Sequence, residues 1–209
     1  MTDPGDRPYH HGNLRRALLD AAVEVIAEKG PDALRLRDLA NRTGVSHGAP
    51  AHHFTDRAGL LTAIAAEGYE LLGDVLERAR DQGGFLDVGL AYVRFAVEHP
   101  AHFQVMFQPT LYRPHDPTVA VAKTRTSAAL YGSAATARSD HPAAQVGLAG
   151  WCLMHGLATL WLAGNLDLIT ADPVDLARSM ATTTFASPPP RRRTSHTPPA
   201  RPIQEGTVR

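Results

Sequence analysis

The sequence predicts an all-α protein of about nine helices, and three observations carry that prediction. Apolar residues recur at three- and four-residue steps through most of the 209-residue chain, the spacing of one buried helix face. The breaks between those runs hold helix punctuation, with Asp-Pro pairs at starts and glycines at ends. No segment alternates Val, Ile, Thr and Tyr with polar residues as a half-buried strand would.

Taken in order, the first helix starts at Asn13, a fair N-cap, and carries Leu14, Leu18, Ala21, Val25 and Ile26 on one face up to Gly30. A second, Leu36 to Thr43, turns Leu36, Leu39 and Ala40 inward; Arg35 stands where a Ser or Thr cap is usual, and Gly44 supplies the left-handed turn. Ser46 caps a third helix. Thr55 or Asp56 caps a long fourth one with Leu60, Leu61, Ile64, Tyr69, Leu72 and Val75, which ends before Gly83-Gly84. Phe85 to Val97 forms a fifth, and Pro100 opens a sixth bearing Phe103, Met106 and Phe107. Asp116-Pro117, Asp140-His141-Pro142 and Asp172-Pro173 each read as a cap followed by a first-turn proline, and start three more.

The chain is expected to divide into residues 9–56, 57–186 and 187–209. The last part, SPPPRRRTSHTPPARPIQEGTVR, is proline-rich, carries five arginines against one glutamate and has almost no large apolar residue. It lacks the surface to fold and is expected to be a disordered tail. Over the whole chain 21 Lys and Arg balance 21 Asp and Glu, so an anionic partner must be met by a local patch. The lone cysteine, Cys152, excludes an internal disulfide and a Cys-rich zinc site. The N-terminus is polar, and no apolar run approaches the roughly 18 residues that span a bilayer. A cytoplasmic protein without a membrane partner or cofactor is expected.

The stretch LANRTGVSHGAPAHHF, residues 39 to 54, is a short helix, a tight glycine turn and a second short helix. That is the helix-turn-helix arrangement, whose second helix enters the DNA major groove. Ser46, His47 and Gly48 put small or hydrogen-bonding groups at the start of that helix, where backbone N–H groups favour a phosphate. Phe54 is expected in the core, His53 toward the duplex backbone and Arg57 on a phosphate. A zinc site is the rival reading of His47, His52 and His53, but they stand five and one apart, not on one helix face. No Ser, Cys or carboxylate stands at a spacing that would make them catalytic.

The segment from Tyr9 to about Leu72, with "LRDLANRTGVS", "HHF" and "DRAGLL", resembles the DNA-binding domain of the TetR family of bacterial regulators. His53, Phe54 and Leu60 match the family's Tyr-x-His-Phe and Lys-x-x-Leu pattern, whereas Ala51 replaces the usual Tyr and Arg57 the usual Lys. The resemblance implies a reading head that meets double-stranded operator DNA through Arg37, Ser46, His47, Gly48, Ala49, His52, His53 and Arg57. Further along, "GWCLMHGLATLWLAG" resembles the WHG subgroup of the same family. It implies a C-terminal ligand-binding and dimerisation domain, a homodimer, and a repressor released from its operator by a small-molecule effector.

Trp151 and His155, four apart, share a helix face and either fill the core or subunit contact or face a ligand. Tyr92, Phe95, Phe103, Met106 and Phe107, with Trp151, Met154 and His155, bring large adaptable side chains from three helices. They are the expected lining for a small apolar or aromatic effector, with His155 as the orienting polar group. Cys152 and His155 lack a third ligand for a metal. Two other classes stay open. An all-α enzyme would need a convergent polar site that His99, His102, Gln104, His115, Lys123 and Arg125 do not form. A helical interaction module that has lost DNA binding is suggested by Ala51, Arg35 and a neutral first sixty residues.

Overall fold

The computed structural model describes residues 11–137, 141–166 and 171–185. Among them are nine α-helices, two 3-10 turns and no strand, in the order α1 (His11–Lys29), a 3-10 turn (Pro31–Ala33), α2 (Leu36–Thr43), α3 (Ala49–Phe54), α4 (Arg57–Gln82), α5 (Phe85–Glu98), α6 (Pro100–Met106), α7 (Pro117–Gly132), a second 3-10 turn (Ser133–Thr136), α8 (Ala143–Leu162) and α9 (Pro173–Phe185). The tail expected beyond 186 lies outside the described residues. No helix among them is long and apolar enough to cross a membrane.

Local chemistry explains most boundaries. Asp56 accepts the Gly59 N–H (2.8 Å) and starts α4. Asp116 accepts from Thr118 (3.0 Å) ahead of Pro117, and Asp172 from Val174 (2.8 Å) ahead of Pro173. Gly44 ends α2 at φ 70°, a left-handed conformation that a Cβ would strain.

Three expected caps are placed differently. α1 is already helical at His11, so Asn13 lies inside it; an interior Asn costs at most about 0.7 kcal/mol relative to Ala, little enough for the helix to extend through it. α3 starts at Ala49 with Gly48, not Ser46, in the cap position. Pro50 fixes φ in the first turn of the helix, and the Ala49 N–H that a Ser46 hydroxyl would cap is already taken by the Ser46 carbonyl (3.0 Å), which closes a turn ahead of the helix. At α8 Pro142 is the cap itself, and its carbonyl accepts from Gln145 and Val146 (2.9 and 3.1 Å). Asp140 lies outside the described residues.

α1, α2 and α3 fold around Leu18, Leu19, Ala22, Ile26, Leu34, Leu39 and Phe54, all buried, and the first turns of α4 complete that core with Leu60, Leu61 and Ile64. α4 then runs on as the spine of the second group, packing on α5, α6 and α7, while α5 carries α8 and α9 on its other side. A Cβ on Gly68 would lie 2.5 Å from Met106 Sδ, so glycine lets α4 and α6 touch. Tyr69 and Tyr112 each donate to the Met106 carbonyl (3.0 Å), and Thr126 of α7 donates to the Tyr69 carbonyl (2.6 Å). These bonds stitch α4, α6, the following loop and α7 into one body.

Candidate functional site

The structure places two candidate sites along the molecule, one at the N-terminal end of α4 and one in the helical body beside its middle turns. At the N-terminal end, Pro50 and Phe54 anchor α3 in the core, and burial of Phe54 stabilises the head by about 1.5–3 kcal/mol. Arg15 of α1 lies over the Phe54 ring, its guanidinium carbon 5.0 Å from the centroid. With one face anchored, the other is left to solvent: Ser46, His47, Gly48, Ala51, His52 and Thr55 are exposed, Ala49 and His53 half-buried. His47 Nε2 donates to Asn41 Oδ1 (2.9 Å), which ties the turn to α2. His52 and His53 meet edge to face at 5.4 Å. Gly48 has open space where a Cβ would project, so nothing inside the protein demands a glycine there.

The cations of this head divide into committed and uncommitted ones. Arg42 is held by Glu24 and Glu28 (2.9 and 3.0 Å), which keep its pKa raised and that of Glu28 lowered. Arg16 is bound by Asp20 and by Glu67 of α4 (2.9 Å). Arg35 donates to the carbonyls of Asp32 and Leu34. Arg57, expected on a phosphate, donates to the carbonyls of Pro31 (2.7 Å) and Leu34 (3.2 Å) and closes the 3-10 turn onto α4. Arg37 is exposed on α2 with no ion pair among the described residues. Arg15, beside α3, was not singled out in the sequence; its only signal was its place on the polar face of α1.

In the helical body, the eight residues expected to line an effector site come together as a cluster with two cavities beside it. His155 sits between Phe107 (centroids 4.5 Å apart) and Phe103 (5.3 Å), and Phe95 stacks with His99 at 5.0 Å. Trp151 Nε1 donates to the Tyr92 oxygen (3.2 Å), and the Tyr92 hydroxyl donates to His155 Nδ1 (2.9 Å). Burial pushes the Tyr92 pKa up and the His155 pKa down, which favours neutral forms of both.

One cavity, about 270 Å³, lies between α5, α8 and α9 and is lined by Tyr92, Trp151 and Met154 together with Phe85, Leu86 and Phe185. The second, about 330 Å³, lies between α4, α7 and α8 and takes Tyr92, Met106, Phe107 and Trp151 from the expected set. Phe95, Phe103 and His155 border neither, because rings packed on one another leave no room beside them. His155 therefore meets the cavities only indirectly, through its hydrogen bond to Tyr92 and its ring contacts with Phe107 and Trp151. The lining also includes residues the sequence did not suggest, among them Lys123, Ser127 and Tyr131 of α7. Among the described residues no three His, Cys, Asp or Glu side chains are grouped to hold a metal ion.

A small head whose α3 has one anchored and one exposed face, carried by a larger helical body with cavities between its helices, defines the architecture of one-component helix-turn-helix regulators. Comparison with known proteins agrees. Residues 18–64 match the family described as bacterial regulatory proteins, tetR family, and residues 85–184 match a tetracyclin repressor-like C-terminal domain. The chain is 29% identical over 162 residues to the HTH-type transcriptional repressor LfrR of Mycolicibacterium smegmatis, covering 74% of this chain and 82% of that protein. It is 34% identical over 92 residues to an HTH-type transcriptional repressor of Mycobacterium tuberculosis, covering 40% of this chain and 49% of the relative; the match thus spans about half of that relative's length. A solved structure of a protein of unknown function from Rhodococcus sp. RHA1 is 34% identical, covers 86% of this chain and 97% of that one, and has a TM-score of 0.71. The chain belongs to the TetR family of bacterial regulators.

Proposed function

We propose that the chain is a cytoplasmic transcriptional repressor that binds operator DNA as a homodimer and is released by a small apolar or aromatic effector. The observation that carries this reading is the exposed surface formed by Ser46, His47 and Gly48 in the turn and by Ala51 and His52 on α3, a helix pinned from behind by Pro50 and Phe54. Small groups at its tip permit close approach to base edges, and Arg37 and Arg15 offer charge beside it. Ala49, His53 and Arg57 complete the proposed contact set. For Arg57 the phosphate role competes with the two carbonyls it already serves. Residues 9–56 act as the reading head and 57–186 as the regulatory body. The WHG-type assignment rests on Trp151, His155 and Gly156 in α8, the first two converging on the Tyr92 hydroxyl.

The test uses Gly48→Glu. Because a Cβ at this position meets nothing within 4 Å, the variant should keep its helicity by circular dichroism. Bulk and negative charge at the tip should still abolish mobility shift on DNA taken from around the protein's own gene. Wild-type binding should prefer that DNA over a scrambled sequence and weaken steeply with salt. Retention of binding by Gly48→Glu would remove α3 from the interface; no sequence preference in the wild type would favour an interaction module.

A further inference from the structure

The 330 Å³ cavity is at the small end of the roughly 300–1,000 Å³ range of small-molecule pockets, and its chemistry is lopsided. Most of its wall is apolar or aromatic, and several polar groups on it are already used. Tyr69 and Tyr112 donate to the Met106 carbonyl, Thr126 to the Tyr69 and Ala122 carbonyls, and Tyr92 is engaged with Trp151 and His155. Three polar groups remain that have no hydrogen bond or ion pair among the described residues: Lys123 Nζ and the Tyr131 hydroxyl, on exposed side chains that border the cavity, and Ser127 Oγ, on a half-buried one. They stand at i, i+4 and i+8 of α7 and so form one row along it. No Asp or Glu lines the cavity. Arg125, the neighbouring cation on α7, is taken by Asp74 and Glu77 of α4, which leaves Lys123 as the charge at this wall.

We infer that the effector is an organic anion with a single carboxylate and an apolar body, its carboxylate meeting Lys123 and Ser127 and its body lying against Tyr92, Met106, Phe107 and Trp151. This rests on reading the C-terminal body as an effector-binding domain and specifies the ligand class. One ammonium without a second cation suits a monocarboxylate better than a phosphate, which calls for more positive charge. A ligand with a quaternary or primary ammonium would bring like charge to Lys123 without any acid on the wall to balance it.

The experiment is isothermal titration of the full-length protein with three molecules of one skeleton: 4-phenylbutyrate, 4-phenylbutanol and 4-phenylbutylamine. The acid should bind at least tenfold more tightly than the alcohol, and the amine most weakly. Lys123→Met and Lys123→Gln should erase the preference for acid over alcohol, and Lys123→Arg should keep most of it; circular dichroism checks that each is folded. An acid that binds no better than the alcohol, or not at all, overturns the inference, as does a preference that survives in both Lys123→Met and Lys123→Gln. Mobility shift on the same samples separates the two readings. Acid preference without sequence-specific DNA binding defeats the repressor reading alone. Sequence-specific DNA binding without acid preference defeats the ligand class alone.

Discussion

His155 shows how a single side chain is fixed by its neighbours. Trp151 donates to the Tyr92 oxygen, so the Tyr92 hydroxyl hydrogen is free to go to His155 Nδ1. This makes Nδ1 an acceptor and puts the ring proton on Nε2, the neutral tautomer. Protonation would set Nδ1–H against the Tyr92 hydroxyl inside a cage of Phe103, Phe107 and Trp151, and burial accordingly holds the pKa below its ordinary 6.5. Between that depressed value and about 6.5 the unfolded chain binds more protons than the native one, so the stability His155 contributes is complete above the window, falls as the pH drops through it and is constant below it, where both states are protonated. His155→Gln should therefore cost about 1 kcal/mol at neutral pH through the lost hydrogen bond, and that gap should narrow at about pH 5, where the wild type carries its own penalty. Urea unfolding of both proteins at the two pH values measures it; a gap independent of pH would show that His155 does not titrate in this range. That Trp151 and His155 share a helix face was legible from their four-residue spacing. That Tyr92 stands between His155 and the cavities was not, because it depends on how α5 crosses α8.

Among the elements, α8 has one face that the other described residues leave uncovered. Leu148 and Leu160 are 50% and 46% exposed, and Cys152 is exposed between them. With Gly156 they recur every fourth residue, a narrow apolar stripe with small residues at its centre. A stripe of this kind on a TetR-family chain fits the homodimer proposed above, with α8 meeting its own copy. Since Cys152 is the chain's single cysteine, a short bismaleimide should link two copies only if the two stripes face each other across a two-fold axis. Leu148→Glu with Leu160→Glu should yield a folded monomer in sedimentation. A variant that remains dimeric, or a wild type that does not cross-link, would move the interface elsewhere. The elements themselves were largely legible: Asp56, Asp116 and Asp172 act through bonds to N–H groups two or three residues away, so sequence alone reveals them. The 3-10 turns left no periodic signal. The Lys123, Ser127 and Tyr131 row was missed for a different reason: Lys123 and Tyr131 are exposed and Ser127 half-buried, so the row reads as a solvent face, and only the packing of α4 and α8 beside α7 makes it the border of a cavity.

Across the whole molecule, a specific linkage joins the cavity to the reading head. Tyr112 lines the 330 Å³ cavity and is fixed by its bond to Met106. Its neighbour Arg113 reaches back: the backbone N–H donates to Thr62 Oγ1 (3.0 Å) and the guanidinium to Asp56 Oδ2 (2.8 Å), while the other Asp56 oxygen caps α4. Asp56 lies two residues beyond Phe54, the core anchor of α3. An effector that shifts Tyr112 must therefore move, or break from, the corner that aims α3. Under the proposed function, effector and operator binding then share one coupling factor, by which each ligand weakens the other equally. Arg113→Ala removes the bond to Asp56 but leaves Phe54, Pro50 and the α3 face in place, and its backbone N–H can still hold Thr62. We expect this variant to bind operator and effector separately with affinities near those of the wild type, while the coupling factor falls toward one. Operator titrations with and without saturating effector, paired with effector titrations with and without operator, measure that factor twice. Coupling that stays at the wild-type value would place the route elsewhere, with the Arg16–Glu67 bridge between α1 and α4 (2.9 Å) the next contact to cut.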